Sequence, residues 1–184
     1  AFPHWLNGTL LRNGPARFEV GGMRARHQFD GLAKLNKFRF DGKGGVAYQS
    51  RFLHSDMYNR SVAGGRFATH LPYMPLDPPF TLAARVRSLV DGTAAADNNN
   101  INVHATGDCV YATSDTADCN VVCVDSLRVL HKLNDGATAT SGRRGHVVSA
   151  AHPQRHSDGR DTINYECDAR TRVVRLYRDT PTFD

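Results

Sequence analysis

The run Leu35-Asn36-Lys37-Phe38-Arg39-Phe40 is followed by Asp41-Gly42-Lys43-Gly44-Gly45 and then by the segment from Val46 to Leu53. The first part alternates, with Phe38 and Phe40 on one face. The middle is turn chemistry. The last part carries Val46, Tyr48, Phe52 and Leu53. A β-hairpin with a loop over 41–45 is expected. The same grammar returns downstream. Ile101-Asn102-Val103-His104-Ala105 alternates, Thr106-Gly107-Asp108 turns, and Cys109-Val110-Tyr111-Ala112-Thr113 comes back. Val121-Val122-Cys123-Val124 supplies a third strand and Leu127-Arg128-Val129-Leu130 a fourth. Short antiparallel strands in succession make a meander, the way propeller sheets are built. The fold class expected is therefore all-β.

One segment breaks this rhythm. Leu71 to Val90 holds Pro72, Pro75, Pro78 and Pro79, which exclude a central strand. After Pro79, Leu82, Val86, Leu89 and Val90 share one side of a helical wheel and Arg85 lies on another. A proline-rich loop leading into a short amphipathic helix is expected. Such a helix covers a sheet edge or touches a membrane surface. Ala94 to Asn100 reads only as a polar connection.

Composition narrows the class further. The chain has 184 residues, long enough to bury a core as one domain. No apolar run approaches the roughly 18 residues of a membrane-spanning helix. Ala1 to Gly8 lacks the basic flank and apolar stretch of a signal peptide. With Ala1 in first place and no terminal signature over Thr180 to Asp184, a piece of a longer protein is expected. The formal net charge of +5 is scattered, with short clusters at Arg143-Arg144 and from Arg170 to Arg178. No basic block or interleaved aromatic pattern marks a nucleic-acid surface, so no nucleic-acid partner is expected. Cys109, Cys119, Cys123 and Cys167 lack CxxC spacing and read as free thiols of a reducing compartment.

Trp5-Leu6-Asn7-Gly8-Thr9-Leu10-Leu11-Arg12-Asn13-Gly14-Pro15 and Phe18-Glu19-Val20-Gly21 are similar to the opening of the carotenoid cleavage oxygenase family, and further motifs resemble that family in order. His27-Gln28-Phe29-Asp30-Gly31-Leu32-Ala33 resembles its H-x-F-D-G-x-A signature. Asp97-Asn98, Asn102-Val103 and Gly107-Asp108 resemble its D-N-x-x-V-N-V block. Ser149-Ala150-Ala151-His152-Pro153 resembles its A-H-P motif. The matches run from Phe2 to about residue 160, and the likeness is to the animal branch of β-carotene oxygenases and the retinal pigment epithelium isomerohydrolase.

The resemblance implies a seven-bladed β-propeller, of which residues 1–184 would be the N-terminal, incomplete part of one domain. It implies an iron(II)-dependent dioxygenase that splits a double bond of a carotenoid or apocarotenoid with O2. In the family four histidines hold the iron, three of them oriented by glutamates. By residue type alone His152 reads as a surface histidine before the turn-forming Pro153; the resemblance makes it an iron ligand. His156, four residues on, matches no family position. Asp115 stands where the family carries a glutamate that orients a later histidine, one methylene shorter. Ser114 would then face the open side of the metal, and Phe40 would line the substrate tunnel. Asp77-Pro78-Pro79-Phe80 resembles the start of a membrane-contacting segment, with Phe80, Leu82 and Val86 as the contact residues. Pro79 replaces the cysteine that other members acylate. The expected location is cytoplasmic, with peripheral membrane contact. The other readings are a non-catalytic propeller module binding a hydrophobic ligand or partner, and a retinoid isomerohydrolase. The isolated piece, with one ligand of four, is expected to be inactive and poorly soluble.

Overall fold

The structure is a computed structural model and describes residues 1–69, 73–84, 86, 97–106, 109–116, 118–134, 147–158, 161–168 and 172–179. Its elements are β1 (Asn7–Arg17), β2 (Glu19–Val20), β3 (Met23–Arg24), a 3-10 turn (Gln28–Asp30), β4 (Leu32–Asp41), β5 (Val46–Phe52) and α1 (Asp56–Ala63). Then come β6 (Asn102–Thr106), β7 (Cys109–Thr113), β8 (Asp118–Val122), β9 (Val129–Asn134), β10 (Val147–Ser149), β11 (Gln154–Arg155), β12 (Thr162–Asp168) and β13 (Val173–Asp179). The all-β class is as expected.

The predicted hairpin is β4–β5, with Phe40 opposite Val46 and the loop over 42–45. Asp41 shapes that loop, its Oδ1 accepting the amides of Lys43 at 2.7 Å and Gly45 at 2.9 Å. Gly42 and Gly44 take φ of 66° and 95°, conformations that favour glycine. β1 adds to the other side of β4, giving the order β1-β4-β5. β4 is thus central and buries both faces. Leu32 packs with Val20, Met57, Tyr58 and Phe67 on one side. Ala33 and Leu35 point to the other side, where Leu53, Ala112, Val122 and Leu127 meet them. That second cluster joins the first sheet to the next one.

The predicted meander is the sheet β6-β7-β8-β9, antiparallel throughout. The fourth strand starts later than expected, because Leu127 takes φ 56° and turns inward as a buried residue. Successive side chains of β7 and β8 serve opposite faces: Ala112 and Val122 face the first sheet, while Tyr111, Cys119 and Val121 form a separate cluster. The third sheet runs β10-β12-β11, with β13 also on β12.

α1 has no counterpart in the sequence reading. Ser55 caps it, its Oγ accepting the Tyr58 amide at 3.2 Å. Asp97 reaches the same helix end and accepts the amides of Asp56 at 2.7 Å and Met57 at 3.1 Å. The described residues of the proline-rich segment form no strand. Its Asp77 exchanges backbone hydrogen bonds with Arg24, and Leu76 is buried in the first core. Leu82, Ala83, Ala84 and Val86 are helical. Leu71, Pro72, Arg85, Leu89, Val90, Gly107, Asp108 and Arg143-Arg144 lie outside the described residues. The four cysteines are free thiols, of which only Cys119 is fully buried. No helix among the described residues is long and apolar enough to cross a membrane.

The Asn98-Asn99-Asn100 run corrects the sequence reading of a mere polar connection. Asn98 and Asn100 bond the backbone at 29–33, and Asn99 bonds Ser114 and Asp118. Asn99 and Asn100 are buried. These side chains pair backbone groups that would otherwise be orphaned where the first sheet meets the second.

Candidate metal-ligand segment

β10 and β11 lie on the same side of β12, and His152 stands in the gap between them. Ser149 faces Glu166 and Gln154 faces Ile163. The four residues 150–153 therefore oppose only Asn164 and Tyr165. This is a bulge of four residues against two, a device that re-aims a side chain out of a ladder. Pro153 has no amide hydrogen and does not rejoin the ladder itself. His152 projects from the bulge with an exposed side chain.

The stem of the bulge is held from two sheets. From β12, the Ala150 amide donates to the Tyr165 carbonyl at 3.2 Å, and Asn164 Nδ2 donates to the Ala150 carbonyl at 3.0 Å. From the meander sheet, Asn102 Nδ2 and Thr113 Oγ1 both donate to the Ala151 carbonyl at 2.9 Å. Asp115 Oδ1 accepts the Ala151 amide at 3.1 Å. Ala151 is 1% exposed. A mobile-looking motif is therefore a fixed backbone carrying one exposed imidazole.

Behind the stem lies a cavity of about 10 Å3, lined among others by His104, Ser114, Ser149 and Pro153. That volume is about one water. His104 stacks on Tyr111 with centroids 5.3 Å apart, and burial pushes its pKa down to about 4.

The structure brings three of the expected residues together and leaves the others apart. Asp115 and Ser114 lie beside the His152 stem. Asp115 holds the backbone immediately before His152, a contact that the sequence reading did not foresee. Ser114 Oγ accepts from Asn99 Nδ2 at 3.1 Å and shares a hydrogen bond with Thr116 at 3.0 Å. Phe40 is elsewhere, near the hairpin end of β4, with its ring edge-on to Phe2 at 5.1 Å. His156 stays in its own turn, with Nδ1 2.8 Å from Asp158 Oδ2. Phe80 packs against the first core, whereas Leu82 and Val86 are exposed. Asn102, Thr113 and Asn164 were missed as functional residues. Asn102 and Thr113 lie inside motifs already singled out, and only their convergence on one carbonyl reveals them.

Among the described residues no three His, Cys, Asp or Glu side chains come together as a metal group. The donor chemistry of this segment is one imidazole on a rigid mount. That fits one nitrogen ligand of a shared site, and it does not fit a site made by these residues alone.

Antiparallel sheets packed in sequence, with a histidine carried on a bulge of the third, define the class as all-β. The chain matches the family model described as retinal pigment epithelial membrane protein over residues 1–182. It belongs to this family, that of the carotenoid cleavage oxygenases. It is 38% identical over 166 residues to the human mitochondrial carotenoid-cleaving dioxygenase, covering 86% of this chain and 27% of the relative. It is 37% identical over 138 residues to beta,beta-carotene 15,15'-dioxygenase of Gallus gallus, covering 72% of this chain and 26% of the relative. A variant of Synechocystis apocarotenoid oxygenase aligns with TM-score 0.67 at 22% identity, over 97% of this chain and 40% of that one. Cobalt-substituted Synechocystis ACO aligns with TM-score 0.61 at 22% identity, with the same two coverages, 97% and 40%. The chain thus spans little more than a quarter of the length of these curated relatives.

Proposed function

We propose that residues 1–184 are the N-terminal part of a single seven-bladed propeller domain, and that the whole protein is an iron(II)-dependent dioxygenase acting on a carotenoid or apocarotenoid. The observation that carries the reading is His152, an exposed imidazole on a bulge whose backbone is bonded from two sheets. Iron(II) held by imidazole nitrogen with an open position would supply the chemistry by which one O2 and one carbon–carbon double bond give two carbonyl products. His152 would hold the iron together with donors from outside the described residues. Asp115 fixes the approach of His152 through the Ala151 amide, and in the whole site it would also accept from a later histidine. Ser114 would border the open side. Phe40 would contribute apolar surface to the substrate path, away from the ligand.

The third sheet supports a larger propeller. Its inner face is polar, with Ser149, Thr162 and Glu166 buried. Its outer face is apolar, with Val148, Ile163, Tyr165, Val174 and Leu176 exposed. That arrangement suits a sheet with a neighbour on its outer side. Exposed Leu82 and Val86 suit a peripheral membrane contact for a cytoplasmic protein whose substrate partitions into lipid; Phe80 contributes less, because its ring leans into the core.

The test is the full-length protein with His152→Ala. Wild-type protein is expected to hold stoichiometric iron and to convert a carotenoid to aldehydes, and the variant to lose both. Iron retained at the wild-type level in the variant overturns the ligand assignment. A full-length protein with no iron would point to the non-catalytic, ligand-binding module. Iron with isomerised and uncleaved product would point to the isomerohydrolase.

A further inference from the structure

We infer that Asn102 and Thr113 are positioning residues for His152, acting through the carbonyl of Ala151. The inference rests on the reading of His152 as an iron ligand. Asn102 and Thr113 are direct cross-strand partners on β6 and β7. Both side chains donate to the same oxygen, each at 2.9 Å. A buried carbonyl needs one donor to avoid an unpaired acceptor. Here both lone pairs are taken, from two strands, so the direction of the carbonyl is fixed as well as its satisfaction.

The peptide that contains this carbonyl ends at the nitrogen of His152. Its plane sets where the His152 Cα lies and how the side chain leaves the backbone. The amide of Ala151 is held separately by Asp115 at 3.1 Å. Ala150 is held by Tyr165 and Asn164 from the other sheet. Donor and acceptor groups of both alanines are thus committed before His152 begins. The imidazole itself makes no hydrogen bond or ion pair with another side chain among the described residues, so its aim depends on this stem. Ligand geometry that comes from outer partners is the general pattern in metal sites, where removing such a partner typically costs 10–100-fold in affinity or activity.

The test uses the full-length, iron-loaded protein and follows iron release to a chelator. Thr113→Val keeps the shape and removes the donor; Asn102→Ala removes the other. Each is expected to release iron about 10-fold faster than wild type, while Thr113→Ser, which keeps an Oγ, stays near the wild-type rate. The thermal midpoint of the iron-free protein is measured in parallel. A lower midpoint with wild-type release from the folded protein overturns the inference, because the clamp then serves folding alone. Asn102→Asp, which keeps the volume, carries the test should Thr113→Val not fold. His152→Ala separates the two levels: wild-type iron retention there overturns the ligand reading itself, whereas fast release there with slow release in the clamp variants overturns only the clamp.

Discussion

Asn98 treats Ala33 as a neighbouring strand would: its Oδ1 accepts the Ala33 amide at 2.9 Å, and its Nδ2 donates to the Gly31 carbonyl at 3.0 Å. One side chain thus continues the β5-side edge of β4 past its last β5 pair, Lys34 with Phe52. Asn98→Ala leaves both backbone groups without these partners in a half-buried place. A loss of about 1–3 kcal/mol is expected. Asn98→Asp keeps the acceptor and sets a carboxylate against the Gly31 carbonyl, so it is expected to be destabilising too. Urea denaturation checks both, with the midpoint falling and the slope unchanged.

The legible part of this fold was the part written in local periodicity. Phe38, Phe40 and the Asp41–Gly45 turn showed the hairpin, because alternation and turn chemistry are properties of neighbours in sequence. The meander from β6 to β8 was visible for the same reason. β1 was not, since Asn7–Arg17 mixes Gly, Asn, Arg and Leu, and its role as a strand comes from pairing along β4. α1 escaped because its N-terminus depends on Asp97, 41 residues away from Asp56. At the candidate site, motifs singled out His152 and Asp115 as candidates. That Asp115 grips the backbone before His152 was not, because the contact spans 36 residues and two sheets. The polar Asn98–Asn100 run looked like a loop, since hydrogen bonds to distant backbone leave no periodic trace.

Lys132 lies 3.1 Å from Asp118, 3.6 Å from Asp97 and 3.7 Å from Asp56. Burial pulls the pKa of its ammonium down, but the carboxylates of Asp97, Asp118 and Asp56 outweigh it and raise the pKa above 10.5. Lys132→Met leaves three neighbouring carboxylates without their cation, and a loss of about 2 kcal/mol at pH 7 is expected. The sign with pH follows from the raised value. The contribution is complete below the unfolded lysine value and disappears as pH rises through the folded one. The stability gap between wild type and variant should therefore hold from pH 7 to about 10 and narrow above it. A gap that stays constant into strong alkali would assign the effect to packing of the aliphatic stem.

Tyr165 faces Leu176 and Cys167 faces Val174 across the β12–β13 ladder. Val174 is 62% and Leu176 78% exposed. An apolar sheet face of this kind is a site of association. The chain of residues 1–184, expressed alone, is expected to self-associate in light scattering coupled to size exclusion. Val174→Lys with Leu176→Glu should shift it toward monomer. Equal association in the double variant would place the sticky surface elsewhere, with the exposed Leu130 and Leu133 of β9 next in line.

His104 gives the fold an acid limit. Its Nδ1 is buried without a hydrogen-bond partner among the described residues, and burial lowers its pKa from 6.5 to about 4. The unfolded chain binds a proton on this imidazole below about 6.5, whereas the folded chain resists until about 4. Between these values the unfolded state holds more protons, so stability falls as pH drops through the window and levels off below it. The contribution of this one group is on the order of 3 kcal/mol. Carboxylates titrate in the lower half of the same window, so the wild-type profile alone does not isolate the histidine. The difference between wild type and His104→Gln does. Glutamine is uncharged at every pH, and its profile should be flatter between pH 6.5 and 4. Denaturant midpoints at closely spaced pH values read the difference directly. If the two profiles stay parallel through the window, His104 protonates as readily in the folded chain as in the unfolded one, and the acid limit comes from another group.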